Sequence, residues 1–248
     1  MIARQQGRYA SADLLQHLIA DAMTEKIIDQ LESVEIKIGH SHPRAAFGEW
    51  RHGAGQGLRH FVYVTVSTGI GGGAVVDGRL LHGRKGMAAH VGHMRLAQDG
   101  PRCACGATAC FEALASGTAL GKRARQVAKE HPSGFLGRVS QGGEVEARHV
   151  IEGAHAGDRS CIELVEEEAR YLGQGFTSLI HLFSPELVVM GGGVSQAFDL
   201  LKAGIHNVIR ADAIESFREI NVVPAELGDN AGLVGASAMI LEHTQYAG

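Results

Sequence analysis

The sequence predicts an α/β protein, and three observations carry that reading. The apolar run Phe61–Ser67 ends in a glycine-rich turn, Thr68-Gly69-Ile70-Gly71-Gly72-Gly73. The run Leu187–Met190 passes in the same way into Gly191-Gly192-Gly193. Between them, Asp158–Leu182 has the period of a long amphipathic helix, with Leu164, Ala169, Leu172 and Phe176 on one face. Strand, glycine turn and helix in alternation build a layered α/β lobe.

In chain order, residues 1–44 have helical periodicity, with Leu14, Leu15, Leu18 and Ile19 on one face and Ile27, Ile28 and Leu31 on another. Ser11 or Asp13 can cap the first helix and Thr24 the second. Two short helices could form a DNA reader, but five Lys or Arg against six acids in this segment argue against it. A second strand is expected over Ala74–Val76, followed by a hairpin turn at Asp77-Gly78. Ser116 caps a helix that runs to His131, and its basic face (Lys122, Arg123, Arg125, Lys129) is expected to be solvated. Pro132–His149 is expected to be loop-rich. On the long helix the acids Glu166–Glu168 are expected to face outward. Ile220–Val223 is a further strand, and a last helix opens from Leu227-Gly228-Asp229-Asn230.

Composition excludes several classes. A net charge of −4 offers no broad attraction to nucleic acid or an anionic membrane. No run of about 18 apolar residues suggests a membrane span, and no apolar segment near Met1 reads as a signal peptide. Four cysteines, three of them clustered, suit a reducing, cytoplasmic setting. Cys161 is the one left over, expected as a thiol in a helix core.

The cluster is Cys103, Cys105 and Cys110, with His93 ten residues upstream of the first. Three thiolates and one imidazole form the ligand set of a closed structural zinc site. A disulfide or a chance group of buried thiols is the competing reading; nearby glycines and Pro101, which supply turns, favour the metal. The glycines after Phe61–Ser67 let backbone N–H groups converge on an anion, with the Thr68 hydroxyl as a further donor. Plain hairpins carry similar turns.

Several stretches resemble the ROK family of sugar kinases, repressors and open reading frames. They are His90-Val91-Gly92-His93, Cys103-Ala104-Cys105-Gly106, Cys110-Phe111-Glu112, Ser116-Gly117, Ala45–Trp50 and Thr65–Gly73. The resemblance covers nearly everything from Ala45 to Gly235. It implies the C-terminal lobe of the actin-like, RNase-H-like (ASKHA) sugar kinase fold, with residues 1–44 as a segment that does not match.

It also implies roles. His93 and Glu112 touch the sugar, and Thr68, Gly69, Gly71 and Gly72 form the second phosphate loop of an ATP site served by magnesium. Gly191, Gly192 and Gly193 lie against the adenosine part. A homodimer is implied as well. Two departures stand out: Ala109 replaces a glycine, and His90 replaces a sugar-contacting Glu. An imidazole there changes both shape and hydrogen-bond direction, and His90-Val91-Gly92-His93 resembles the element of the family's bacterial N-acetylmannosamine kinases, which implies N-acetylmannosamine over glucose or N-acetylglucosamine.

Two parts of the family's machinery are missing from this sequence. The first phosphate loop, Asp-x-Gly-Gly-Thr, does not occur, and the position of the catalytic Asp falls on Ser41, within His40-Ser41-His42-Pro43. Serine is no base at neutral pH without activation; the flanking histidines could serve chemically, although Pro43 is expected to alter the local backbone. The edge at Ala45 is abrupt, as a shifted reading frame or a late gene start would produce. The expectation is a chain of N-acetylmannosamine kinase lineage with impaired catalysis, against a non-catalytic ROK regulator or zinc-stabilised module.

Overall fold

Phe61–Val66 (β1) is apolar except at Thr65 because both of its faces are covered. The structure, a computed structural model, describes residues 41–245, and these form one compact unit. Val62, Val64 and Val66 point into one core, and Phe61 and Tyr63 into another. That is the pattern of a strand buried on both sides. The helices expected ahead of Ser41 lie outside the described residues.

β1 is the middle strand of a five-stranded sheet. Ile70–Val76 (β2) pairs antiparallel with it, and Arg79–Leu80 (β3) forms the edge beyond. On the other side Leu187–Gly191 (β4) and Val222–Pro224 (β5) run parallel to it. β2 is longer than the Ala74–Val76 expected, since the strand begins directly after a tight turn in which Ser67 N–H donates to Gly69 O (2.9 Å). Asp77 (φ 53°) and Gly78 (φ 69°) make the expected hairpin turn, both left-handed. β5 falls slightly later than expected because Ile220 is held in a turn, its N–H donating to Phe217 O at 3.1 Å. Pro224 is tolerated because β5 is an edge strand.

One sheet face is covered by Ser41–His52 (α1) and Ala231–Gln245 (α8). Pro43 does not disturb α1: it sits in the first turn, where the missing N–H has no intrahelical partner to lose. The two helices touch backbone to backbone. A Cβ on Gly235 would lie 1.7 Å from Arg44 O, and one on Gly48 would lie 2.4 Å from Ala231 O. Glu49, fully buried, fastens the same junction. Its carboxylate accepts from Leu227 N (2.7 Å), Ala54 N (3.0 Å) and Glu226 N (3.2 Å).

The other face carries Phe111–Ala115 (α2), Gly117–Glu130 (α3), Phe135–Gly142 (α4), Ala147–His155 (α5), Arg159–Phe183 (α6) and Phe198–Asp212 (α7). α3 and α6 are capped as their sequences suggest, Ser116 Oγ accepting from Ala119 N (3.2 Å) and Asp158 Oδ1 from Cys161 N (3.1 Å). Cys161 is buried, as expected.

Three expectations fail on this face. Pro132–His149 is mostly helical, because Leu136, Val145 and Val150 are buried and draw two short helices onto the core. Glu168 does not face outward: it is fully buried and pairs with Arg123. The basic face of α3 is correspondingly not simply solvated. Arg123 also donates to Leu114 O (2.5 Å), and Arg125 bridges Val145 O (2.9 Å) and Glu144 (3.0 Å).

Candidate functional site

The parallel neighbours β1 and β4 end side by side, and the loops leaving their carboxyl ends open a cleft, the usual place for ligands in such sheets. The cleft has a volume of about 440 Å³ and is lined by Thr65, Ser67, Thr68, Gly69 and Ile70 from the hairpin, Glu112 from α2, Gly192 and Gly193 after β4, Asp229 before α8, and His42 from α1. A second groove of about 570 Å³ shares Ser67, Thr68 and Gly193 with it and runs on past Gly117, Thr118, Arg125 and Arg148. Ser67, Thr68 and Gly193 therefore stand where the two cavities meet.

Glu112 is placed by sequence-distant contacts. Its Oε2 accepts from Ile70 N–H at 2.9 Å. Gly69 makes room for it, since a Cβ there would lie 2.5 Å from Oε2. The α2 segment is in turn held by Met94 O, which accepts from Phe111 N at 2.7 Å. His42 enters from the other side, its ring lying over Gly71 of β2. Burial first, and then the charge of His90, hold the His42 pKa below the ordinary imidazole range, with Glu112 pulling the other way. The Tyr63 phenol is pushed up to about 12 by burial and stays protonated.

His93, Cys103, Cys105 and Cys110 come together, their ligand atoms all within 4.8 Å of one another. Cys103 Sγ lies 3.7 Å from His93 Nδ1, and Cys105 Sγ lies 3.6 Å from Cys110 Sγ. Those separations match two ligands on one tetrahedral ion at Zn–S of about 2.3 Å and Zn–N of about 2.0 Å. All four cysteines are free thiols, so no disulfide forms. The Cys110 thiol is pushed up to about 12, mainly by burial, whereas hydrogen bonding from the Ala107 backbone lowers Cys105. His90 is exposed beside the cluster, its ring stacked on that of His93 with centroids 6.4 Å apart, and its Nδ1 is 3.1 Å from Met87 O.

The model of the ROK family matches residues 18–243. The chain belongs to the ROK family. Similarity to individual members agrees. It is 36% identical over 197 residues to a glucokinase of Thermotoga maritima, covering 79% of this chain and 62% of that protein. It is 30% identical over 204 residues to the DNA-binding transcriptional dual regulator NagC of Escherichia coli, covering 82% of this chain and 49% of the regulator. Among solved structures, a ROK family glucokinase from Streptomyces griseus in complex with glucose and AMPPNP superimposes with a TM-score of 0.72 at 38% identity. That match covers 80% of this chain and 66% of the other. The chain thus has the ROK sugar kinase fold, of the actin-like type, and spans less than two thirds of these relatives.

Within the ROK fold the expected site residues separate into three groups, one of which, His90 and His93, stands with the cysteine cluster outside the lining of both cavities. Glu112, Thr68, Gly69, Gly192 and Gly193 line the cleft. Gly71, Gly72 and Gly191 are buried strand residues, and their lack of a side chain has packing reasons. Cβ atoms there would meet the His42 ring, Tyr63 O and Tyr63 Oη respectively, each within 2.7 Å. Ala109, the residue standing in place of a glycine, has φ 53°, a left-handed conformation that explains the preference for glycine at this point. Ser41 is the first residue of α1.

Sequence reasoning left out Asp229 and Glu49 and passed lightly over His42. The only local signal for His42 is its place next to Ser41. The signal for Glu49 is an acid flanked by core residues, Phe47 and Trp50.

Proposed function

We propose that this chain is the sugar- and nucleotide-holding part of an ATP-dependent kinase that phosphorylates the 6-hydroxyl of an N-acetylated hexosamine, N-acetylmannosamine above others. The observation that carries the reading is the meeting of two ligand spaces at Thr68 and Gly193, with the Glu112 carboxylate in one of them. The cleft takes the sugar, with Glu112 as the hydrogen-bonding group of its lining and with His93 and His90 reaching the sugar from the cysteine cluster beside it. His93 turns Nδ1 toward the cysteines, so Nε2 is the atom available to a sugar hydroxyl. The groove takes ATP, whose phosphates lie over Thr68, with Gly69 on the cleft side of it, and whose adenosine part rests against Gly193, next to Gly192. Magnesium comes with the nucleotide and neutralises phosphate charge.

Zinc, held by His93, Cys103, Cys105 and Cys110, ties the loop bearing the sugar ligands together. A reducing, cytoplasmic setting keeps those thiols available, and a homodimer is the expected assembly. His90, an imidazole beside the sugar ligands, supports the N-acetylated sugar. The identity to glucokinases supports glucose as a second reading.

The test is calorimetric binding of N-acetylmannosamine, N-acetylglucosamine and glucose to the zinc-loaded chain, together with ADP release and identification of the phosphorylated carbon by NMR. Tightest binding and 6-phosphorylation of N-acetylmannosamine are expected. A preference for glucose that His90→Glu leaves unchanged would replace the first reading with the second.

A further inference from the structure

Transfer of the γ-phosphoryl group to an alcohol needs an acceptor for the hydroxyl proton. The ionisable groups lining the cleft are few. Tyr63, pushed up to about 12, is protonated and has no basic site for a further proton. Glu112 holds the Ile70 N–H with Oε2 and, in the sugar kinase reading, serves as a ligand of the sugar. Asp229 lies on the exposed turn Gly228–Asn230, on the Tyr63 side of the cleft, whereas His42 is the group that answers to Glu112 and His90. His42 remains.

The His42 ring lies on the floor of the cleft over Gly71, where a Cβ would come within 2.4 Å of Nδ1. It sits within electrostatic reach of Glu112 and His90, the two groups that flank the sugar space. α1 holds it there rigidly: Ala46, one turn on, packs over Gly73 as His42 does over Gly71, and Glu49 anchors the far end of the helix.

We infer that His42 is the proton acceptor of the phosphoryl transfer, standing in for the carboxylate that this chain lacks. The inference rests on the sugar kinase reading. In the step, the sugar oxygen bonds to the γ-phosphorus, and the bond from that phosphorus to the β,γ-bridging oxygen breaks with its electron pair leaving on ADP. The hydroxyl proton passes to the unprotonated nitrogen of His42 and from there to solvent. Burial and His90 keep the imidazole neutral at pH 7, as a base must be. Its charge state answers to His90 and Glu112, with Asp229 and Tyr63 the other ionisable groups of the cleft.

The experiment uses the full zinc-loaded chain with Mg-ATP and the sugar that binds. His42→Gln is expected to lower kcat by about 10² to 10⁴ with sugar affinity and melting temperature little changed. His42→Asp is expected to keep measurable turnover, with the acid limb of the pH–rate profile moved down by about two units, the difference between imidazole and carboxylate. A role in packing alone would not move that limb. Wild-type turnover that His42→Gln leaves intact would overturn the role of His42 and leave the kinase reading standing. Sugar binding without any wild-type turnover would overturn both this role and the kinase step. Failure to bind any of the three sugars would overturn the sugar reading itself.

Discussion

Glu112 Oε2 accepts a hydrogen bond from Ile70 N–H at 2.9 Å, and that bond joins the hairpin after β1 to the segment that carries the cysteines. A carboxylate so held presents its remaining lone pairs in one direction. Glu112→Ala should weaken sugar binding about 10- to 100-fold, the worth of a hydrogen bond to a charged group. Gly69→Ala should do the same less severely, since the new methyl would displace Oε2 from 2.5 Å away. Calorimetry on both variants, with melting curves to confirm folding, checks this.

Zinc should matter to the same carboxylate, because Glu112 follows Cys110 by two residues. The zinc-loaded chain should contain one ion, and Cys110→Ser should lose it. At zinc about a hundredfold above its dissociation constant, chelation should remove about 3 kcal/mol of stability. Sugar affinity should fall in parallel. Metal analysis, thermal melts and sugar titration of the same samples provide the check.

The buried pair of Arg123 and Glu168 predicts a pH dependence. Burial raises the Glu168 carboxyl to about 7, with Arg123 opposing it. A raised folded-state pKa means that the native protein binds the proton more tightly than the unfolded chain. Stability from this group is therefore greatest below the unfolded pKa near 4.5 and is lost as pH rises toward 7. The loss is on the order of 3 kcal/mol. Urea unfolding from pH 4.5 to 8 should show that downward slope, and Glu168→Gln should flatten it. Arg123→Ala, which leaves the acid buried and unpaired, should destabilise the protein by about 3–5 kcal/mol at neutral pH.

The α1–α8 junction should tolerate no added atom. Gly235→Ala places a methyl 1.7 Å from a backbone oxygen that no rotamer change can move. It should destabilise by about 3 kcal/mol or more. Gly232→Ala, on the same helix with open space around it, should change stability by less than about 1 kcal/mol. Denaturant midpoints of the two variants separate steric exclusion from helix propensity.

What the sequence made legible was whatever one segment states by itself. β1 and β4 are apolar runs because both faces of each are covered, and Ser116 and Asp158 are caps whose partners lie three residues on. The cysteine cluster is local as well, a spacing of seven residues from first to last. Features that depend on what lies opposite were hidden. Glu168 reads as solvated until Arg123 is brought from α3, and Gly71 reads as part of a phosphate loop until α1 is laid across it. α4 and α5 span only two turns or so each, too short for a periodic pattern to stand out from a glycine-bearing loop.

Glu49 reaches across 177 and 178 residues to the backbone of Glu226 and Leu227. On a ribosome, α1 is made long before either partner exists, and among the described residues α8 is its one helical neighbour on that face of the sheet. Closing so long a span is slow relative to local pairing. α1 should therefore dock late, after the sheet and the helices of the opposite face have formed. Because His42 rides on that helix, the cleft gains its imidazole only as the last helix is delivered, later than the loop that gathers His93 and the three cysteines.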